Sequence, residues 1–96
     1  MIDLETLRSR RDRIQLLGCR YGAGNIRVFG SIARGEETDK SDVDLLVDFA
    51  PGRSLLDLAG FELALEDLLH CRVDVVADGG IHPLIEDRIL NDAVPL

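Results

Sequence analysis

Two aspartates, Asp42 and Asp44, stand two residues apart in the run Ser41-Asp42-Val43-Asp44-Leu45-Leu46-Val47. The apolar alternation reads as a strand. Successive side chains on a strand face opposite ways, so both carboxylates share one side while Val43, Leu45 and Val47 take the other. Carboxylates held side by side repel each other unless something offsets their charge. A divalent cation does this, and all-oxygen ligation suits Mg²⁺ or Mn²⁺. Upstream, Gly30-Ser31 follows the apolar Ile26, Val28 and Phe29. This corner, with Ser31 as the expected helix N-cap, offers backbone N–H groups of the kind that bind phosphate. Metal plus phosphate makes a nucleoside triphosphate the natural ligand. A lone Asp-x-Asp is most often a solvated strand end, and a lone Gly-Ser a loop. Both together, in a strand–turn–strand context, point to a site.

A third acid belongs with them. Arg72 to Ala77 reads as a strand in which Asp74 interrupts valines. By itself such an acid signals a strand edge. With Asp42 and Asp44 placed, it reads as a third carboxylate on the same sheet face. Arg34 precedes Gly35, a residue able to end a short helix in the left-handed conformation. That arginine either adds charge near the phosphates or is an ordinary surface residue. Ser41 is expected to orient Asp42 and the Glu36–Ser41 loop.

These residues carry a resemblance. Gly30-Ser31, Arg34-Gly35, Ser41-Asp42 and Asp44 resemble the signature of the DNA-polymerase-beta-like nucleotidyltransferase superfamily. More narrowly, the chain from about Tyr21 to Leu96 looks like the minimal nucleotidyltransferases, the MntA-type antitoxins paired with HEPN-domain toxins. The resemblance implies two Mg²⁺ ions held by Asp42 and Asp44, with Asp74 completing the second and able to take the acceptor's proton. It implies that Gly30, Ser31 and Arg34 bind the nucleotide. The implied reaction moves AMP from ATP to a tyrosine of a HEPN-type RNase toxin and silences it. His70-Cys71 departs from the glycine that many relatives place there, at a position with no catalytic part.

The flanking elements must position this constellation. Residues 3–17 read as a helix with Leu4, Leu7, Ile14 and Leu17 on one face, ended by Gly18 and the Gly22-Ala23-Gly24 segment, which form a turn. Asn25–Phe29 and Asp42–Phe49 read as strands. Ser54, with Asp57 as a capping-box partner, opens a long leucine-rich helix to about Leu69. Its apolar residues exceed what one face needs, so it is buried on two sides or meets a partner. His82-Pro83 opens a last helix with Ile81, Ile85 and Ile89 on one side, and Leu84, Leu90, Val94 and Leu96 pack the C-terminus. The expectation is one domain spanning 1–96 in the α/β (α+β) class. It would hold a small mixed sheet of about three strands flanked by helices, the nucleotidyltransferase fold.

Composition narrows the function. The net charge is −7, and apart from Lys40 the basic residues are ten arginines. An acidic protein gains nothing from counterion release, which argues against stand-alone nucleic-acid binding. The Arg8, Arg10, Arg11 and Arg13 cluster reads as a solvated helix face before a partner contact. No apolar run approaches membrane-spanning length, no signal peptide is visible, and no Walker-type phosphate loop is present. Cys19 and Cys71, unpaired in sequence, fit small core residues in a reducing cytoplasm. Few residues follow Asp74, so the acceptor is expected to come from another molecule. Two alternatives stand beside AMP transfer. One is a contact-only antitoxin acting through helix 54–69 or the arginines; the other is nucleotidyl transfer to RNA or a small molecule.

Overall fold

The computed structural model describes residues 2–81 and 83–96. The order is α1 (Leu4–Ser9), α2 (Arg11–Tyr21), β1 (Ala23–Phe29), α3 (Gly30–Arg34), β2 (Val43–Phe49), α4 (Leu55–Leu69), β3 (Val73–Ala77), α5 (Pro83–Asp92) and β4 (Val94–Pro95). The strands form one mixed sheet in the order β3-β2-β1-β4. β1 runs antiparallel to β2 and to β4, while β2 and β3 are parallel. No helix among the described residues is long and apolar enough to cross a membrane.

The period-2 pattern of β2 separates the two sheet faces. Val43, Leu45 and Val47 are fully buried and join a large core with Val28, Leu7, Ile14, Phe61 and Leu65. That core lies under α1, α2 and α4. Asp44, Leu46 and Asp48 alternate with those residues and so point to the other face. There only Leu46, Ile81 and Ile89 form a small core, with Phe29, Val76 and Ala93 packed against it. One face is therefore closed by three helices, and the other is partly covered by α5.

The N-terminal helix is two helices, not one. Asp3 caps α1 by accepting from the Thr6 N–H at 2.7 Å, and the chain breaks at Arg10, whose N–H turns back to the Leu7 carbonyl. Gly18 does not stop α2. It lies inside the helix because a Cβ there would stand 2.7 Å from the Ala23 carbonyl oxygen. Gly22, the first residue of the expected Gly22-Ala23-Gly24 turn, ends it at φ 78°. The arginine cluster is not simply solvated either. Arg8 donates to the Pro95 carbonyl at 2.8 Å, Arg11 to the Leu96 oxygen at 2.8 Å, and Arg10 to the Leu68 carbonyl at 3.2 Å.

The expected cap of α4 is present. Ser54 and Asp57 exchange side-chain-to-backbone hydrogen bonds as a capping box. Leu55, Leu56 and Leu63 are exposed, so the leucine excess of this helix is a surface rather than a second buried side. The same helix protects a sheet edge. Glu66 and Glu62 accept from the Val73 and Val75 N–H groups at 3.1 and 2.8 Å, satisfying the outer donors of β3.

A fourth strand adds to the three expected. β4 has only two residues, one of them proline, too short for any alternation to register. Val94 pairs with Val28, and Leu96 donates to the Ile26 carbonyl at 3.1 Å. Leu96 is buried as expected, but Leu84 and Leu90 are exposed and do not pack the terminus. Pro83 is the first residue of α5; His82 lies outside the described residues. Cys19 is exposed on α2 rather than a core residue, whereas Cys71 is half-buried against the core.

Candidate active site

The acids expected from sequence gather on the open face. In the parallel ladder Asp44 is the register partner of Asp74, and in the antiparallel ladder it is the partner of Phe29. Asp42 lies immediately before β2. The Val43 N–H donates to the Arg72 carbonyl at 3.0 Å, which ties the start of β2 to the start of β3. Asp44 thus sits at the centre, with one acid on its own chain segment and one on the adjacent strand.

Electrostatics report that crowding. Partial burial pushes the Asp44 carboxyl up to about 6, and the charges of Asp74 and Asp42 push the same way, while Arg34 opposes them. A carboxyl pushed up in this manner lacks countercharge. Among the described residues no three acidic, histidine or cysteine side chains are already gathered as a metal-binding group. The donor chemistry nonetheless fits a hard divalent cation. The carboxylates of Asp42, Asp44 and Asp74 are all-oxygen ligands, and the most central of them is short of positive charge.

The Gly30 corner is shaped by Asp44. Gly30 has φ 76°, and a Cβ built on it would collide with Asp44 Oδ2. Only glycine lets the turn from β1 into α3 pass beside that carboxylate. Ser31 is not the N-cap expected from sequence. Phe29 occupies the cap position with no side-chain hydrogen bond, and Ser31 is the second residue of α3. The reason is that Gly30 adopts the turn itself and enters the helix one residue early. The Ser31 hydroxyl is left without a hydrogen bond among the described residues. Gly35, at φ 71°, ends α3 as expected.

Ser41 braces its loop. Its hydroxyl accepts from the Thr38 N–H at 2.8 Å, and its own N–H donates to the Thr38 carbonyl at 3.0 Å. The tight turn so made delivers the chain to Asp42.

A cleft of about 420 Å³ opens beside Asp44, between Phe29, Gly30, Ser31 and Arg34 on one side and α5 on the other. Asp42 and Asp74 do not line it. Arg34 does line it, but its guanidinium donates to Glu36 at 3.0 Å and to Asp92 at 2.5 Å. Those hydrogen bonds, Glu36 first, hold it more firmly charged than a free arginine. The α5 wall consists of Ile85, Arg88, Ile89 and Asp92. Sequence reasoning found the isoleucines and missed Arg88 and Asp92. The i, i+3, i+4, i+7 spacing of these four residues was the available signal, since it places them on one helix stripe.

A sequence profile of the nucleotidyltransferase domain family matches residues 12–96. The chain belongs to that family. Among relatives, this nucleotidyltransferase is 48% identical over 75 residues to a protein of Methanocaldococcus jannaschii described as a protein adenylyltransferase, covering 78% of this chain and 81% of the relative. It is 44% identical over 75 residues to the protein adenylyltransferase MntA of Thermococcus cleftensis, covering 78% and 76%. A solved structure described as a minimal nucleotidyltransferase superposes with a TM-score of 0.86 at 53% identity, covering 99% of this chain and 97% of the other. The crystal structure of a toxin–antitoxin with AMP-PNP shares the fold, with a TM-score of 0.75 at 20% identity over 88% of this chain and 69% of that one.

Proposed function

We propose that this nucleotidyltransferase moves AMP from ATP to a tyrosine of a HEPN-type RNase toxin and so acts as its antitoxin. The observation that carries the reading is the Asp44–Asp74 register pair, with Asp42 two residues upstream and the Gly30 turn passing beside Asp44. Relatives described as protein adenylyltransferases support the protein acceptor. A fold neighbour holding an ATP analogue in a toxin–antitoxin complex supports the triphosphate and the toxin partner.

In this reading Asp42, Asp44 and Asp74 hold Mg²⁺, which, when bound, neutralises triphosphate charge and polarises the reacting phosphorus. Gly30 and Ser31 take the phosphates through backbone N–H groups and the hydroxyl that no other group uses. Asp74, exposed and paired in register with Asp44, accepts the proton of the attacking tyrosine hydroxyl. The tyrosyl oxygen forms a bond to the α-phosphorus, the bond to the bridging oxygen breaks, and pyrophosphate leaves. Arg34 lines the cleft but is held by Glu36 and Asp92, and so ties α3 to α5 at this site.

The exposed leucines of α4 suit a protein partner as well. A contact-only antitoxin would use that surface and leave the acids idle. The test is to incubate the chain with ATP labelled at the α-phosphate, Mg²⁺ and the product of the adjacent gene. Wild type labels the partner; Asp42→Ala and Asp44→Ala lower the rate by about 10²- to 10³-fold, the loss typical of removing a main electrostatic group. Neutralisation of the partner by folded triad variants would instead establish the contact-only module.

A further inference from the structure

Two arginines line the cleft beside Asp44, and they are not equivalent. Arg34 is committed: Glu36 and Asp92 hold its guanidinium from two sides. Arg88 lines the same cleft from α5 and has no ion-pair partner among the described residues. Asp92, one turn further along α5, has its charge spent on Arg34 and does not quench Arg88. Among the described residues the cleft therefore presents one uncompensated cation, on the α5 side, with Gly30 and Ser31 on the other.

We infer that Arg88 contacts the phosphates of the bound nucleotide, and that Arg34 is a positioning residue that anchors α5 so that Arg88 stands over the cleft. The assignment rests on the nucleotidyltransferase reading above and adds to it a residue on a different element. The chemistry is direct. A guanidinium matches phosphate oxygens with two parallel donors, and such charge-assisted pairs are stronger than neutral hydrogen bonds. Arg88 reaches the cleft because Ile85 and Ile89, on the same stripe of α5, lie along it, and Ile89 is buried in the small core beneath. The Arg34–Asp92 bridge spans α3 and α5 and fixes the distance between the two walls. Ion pairing that consumes Arg34 thus serves to aim Arg88.

The test is calorimetric titration of ATP and of adenosine, each with Mg²⁺, into wild type, Arg88→Ala, Arg88→Lys and Arg34→Ala. Circular dichroism melts establish that each variant is folded; Arg88 is exposed, so its replacement leaves the core intact. Arg88→Ala is expected to weaken ATP about 10- to 100-fold, the range for losing a hydrogen bond to a charged group, and to leave adenosine unchanged. Arg88→Lys recovers part of the loss. Arg34→Ala weakens ATP by a smaller factor, and in the double variant adds nothing to Arg88→Ala, because it acts through that residue. Equal ATP affinity in Arg88→Ala and wild type overturns this assignment alone. Wild type that binds no ATP overturns the nucleotidyltransferase reading together with it. Additive losses in the double variant overturn the positioning role of Arg34.

Discussion

The two faces of the sheet use the same strands for opposite ends. On the closed face β2 spends Val43, Leu45 and Val47, all without exposure, on a core shared with α1, α2 and α4. On the open face the same strand shows Asp44, Leu46 and Asp48: Leu46 is buried, Asp44 partly so, and Asp48 is exposed. Asp44 stands among the acids. Leu46 anchors α5 through Ile81 and Ile89. Asp48 binds Arg27 at 2.9 Å, and Arg27 reaches Asp78 at 3.4 Å. The open face thus runs from unpaired carboxylates, through a small apolar patch, to a balanced ion network. The larger core lies on one side, and the proposed site lies where rigid strands hold it but little core depends on it.

The largest effect expected from this contrast is on the closed face. Phe61, wholly buried on α4 and near Tyr21, is a keystone there, and Phe61→Ala should cost about 3–5 kcal/mol in urea unfolding. A loss below 1 kcal/mol would mean that the closed face is not the main source of stability. Gly30→Ala should cost about 1–3 kcal/mol, because the residue would be strained at φ 76° and would push Asp44 aside. It should also abolish AMP transfer, so activity falls at temperatures where the fold survives. A variant that stays fully active would detach the Gly30 turn from the site.

Asp44→Asn should have the opposite sign. The folded carboxyl, at about 6, holds its proton above the unfolded value of 3.8. The folded state binds more protons between those two values, so wild-type stability falls as pH rises from about 4 to about 6 and stays at the lower level above. Asparagine removes that slope. Thermal melts at pH 7.5 should therefore show a gain on the order of 1 kcal/mol, already discounted for a carboxylate that is partly solvent-facing. At pH 4 the gain should vanish. Saturating Mg²⁺ with nucleotide should stabilise wild type and not this variant. The smallest effect belongs to the sheet edge. Glu62→Gln keeps an acceptor for the Val75 N–H but removes its charge, and about 0.5–1 kcal/mol of stability should be lost.

Much of this arrangement was legible in the sequence. The alternation through Val43–Val47 separates the faces, and the Asp-x-Asp spacing places two acids together. Asp74 was found the same way, as an acid in an apolar strand. What escaped has physical causes. Gly18 reads as a helix stop because glycine ends helices often, yet here it permits a close approach to Ala23. Ser31 reads as a cap because its type favours that position, but the left-handed Gly30 moved the helix start. β4 is too short to carry a pattern, and its partner β1 is distant in sequence. Arg88 looks like any exposed arginine of an amphipathic helix. Only the three-dimensional meeting of α3 and α5 places it in the cleft.

Nucleotide bound as proposed occupies the open face and leaves the closed face untouched. Backbone amide shifts recorded by NMR during titration with ATP and Mg²⁺ test that placement residue by residue in a chain of 96 residues. Shifts are expected at Gly30, Ser31, Asp42, Asp44, Asp74 and Arg88. None is expected at Leu16, Ala64 and Leu68, which line a separate groove of about 410 Å³ between α2 and α4. Shifts confined to that groove, with Gly30 and Asp44 silent, would contradict the placement.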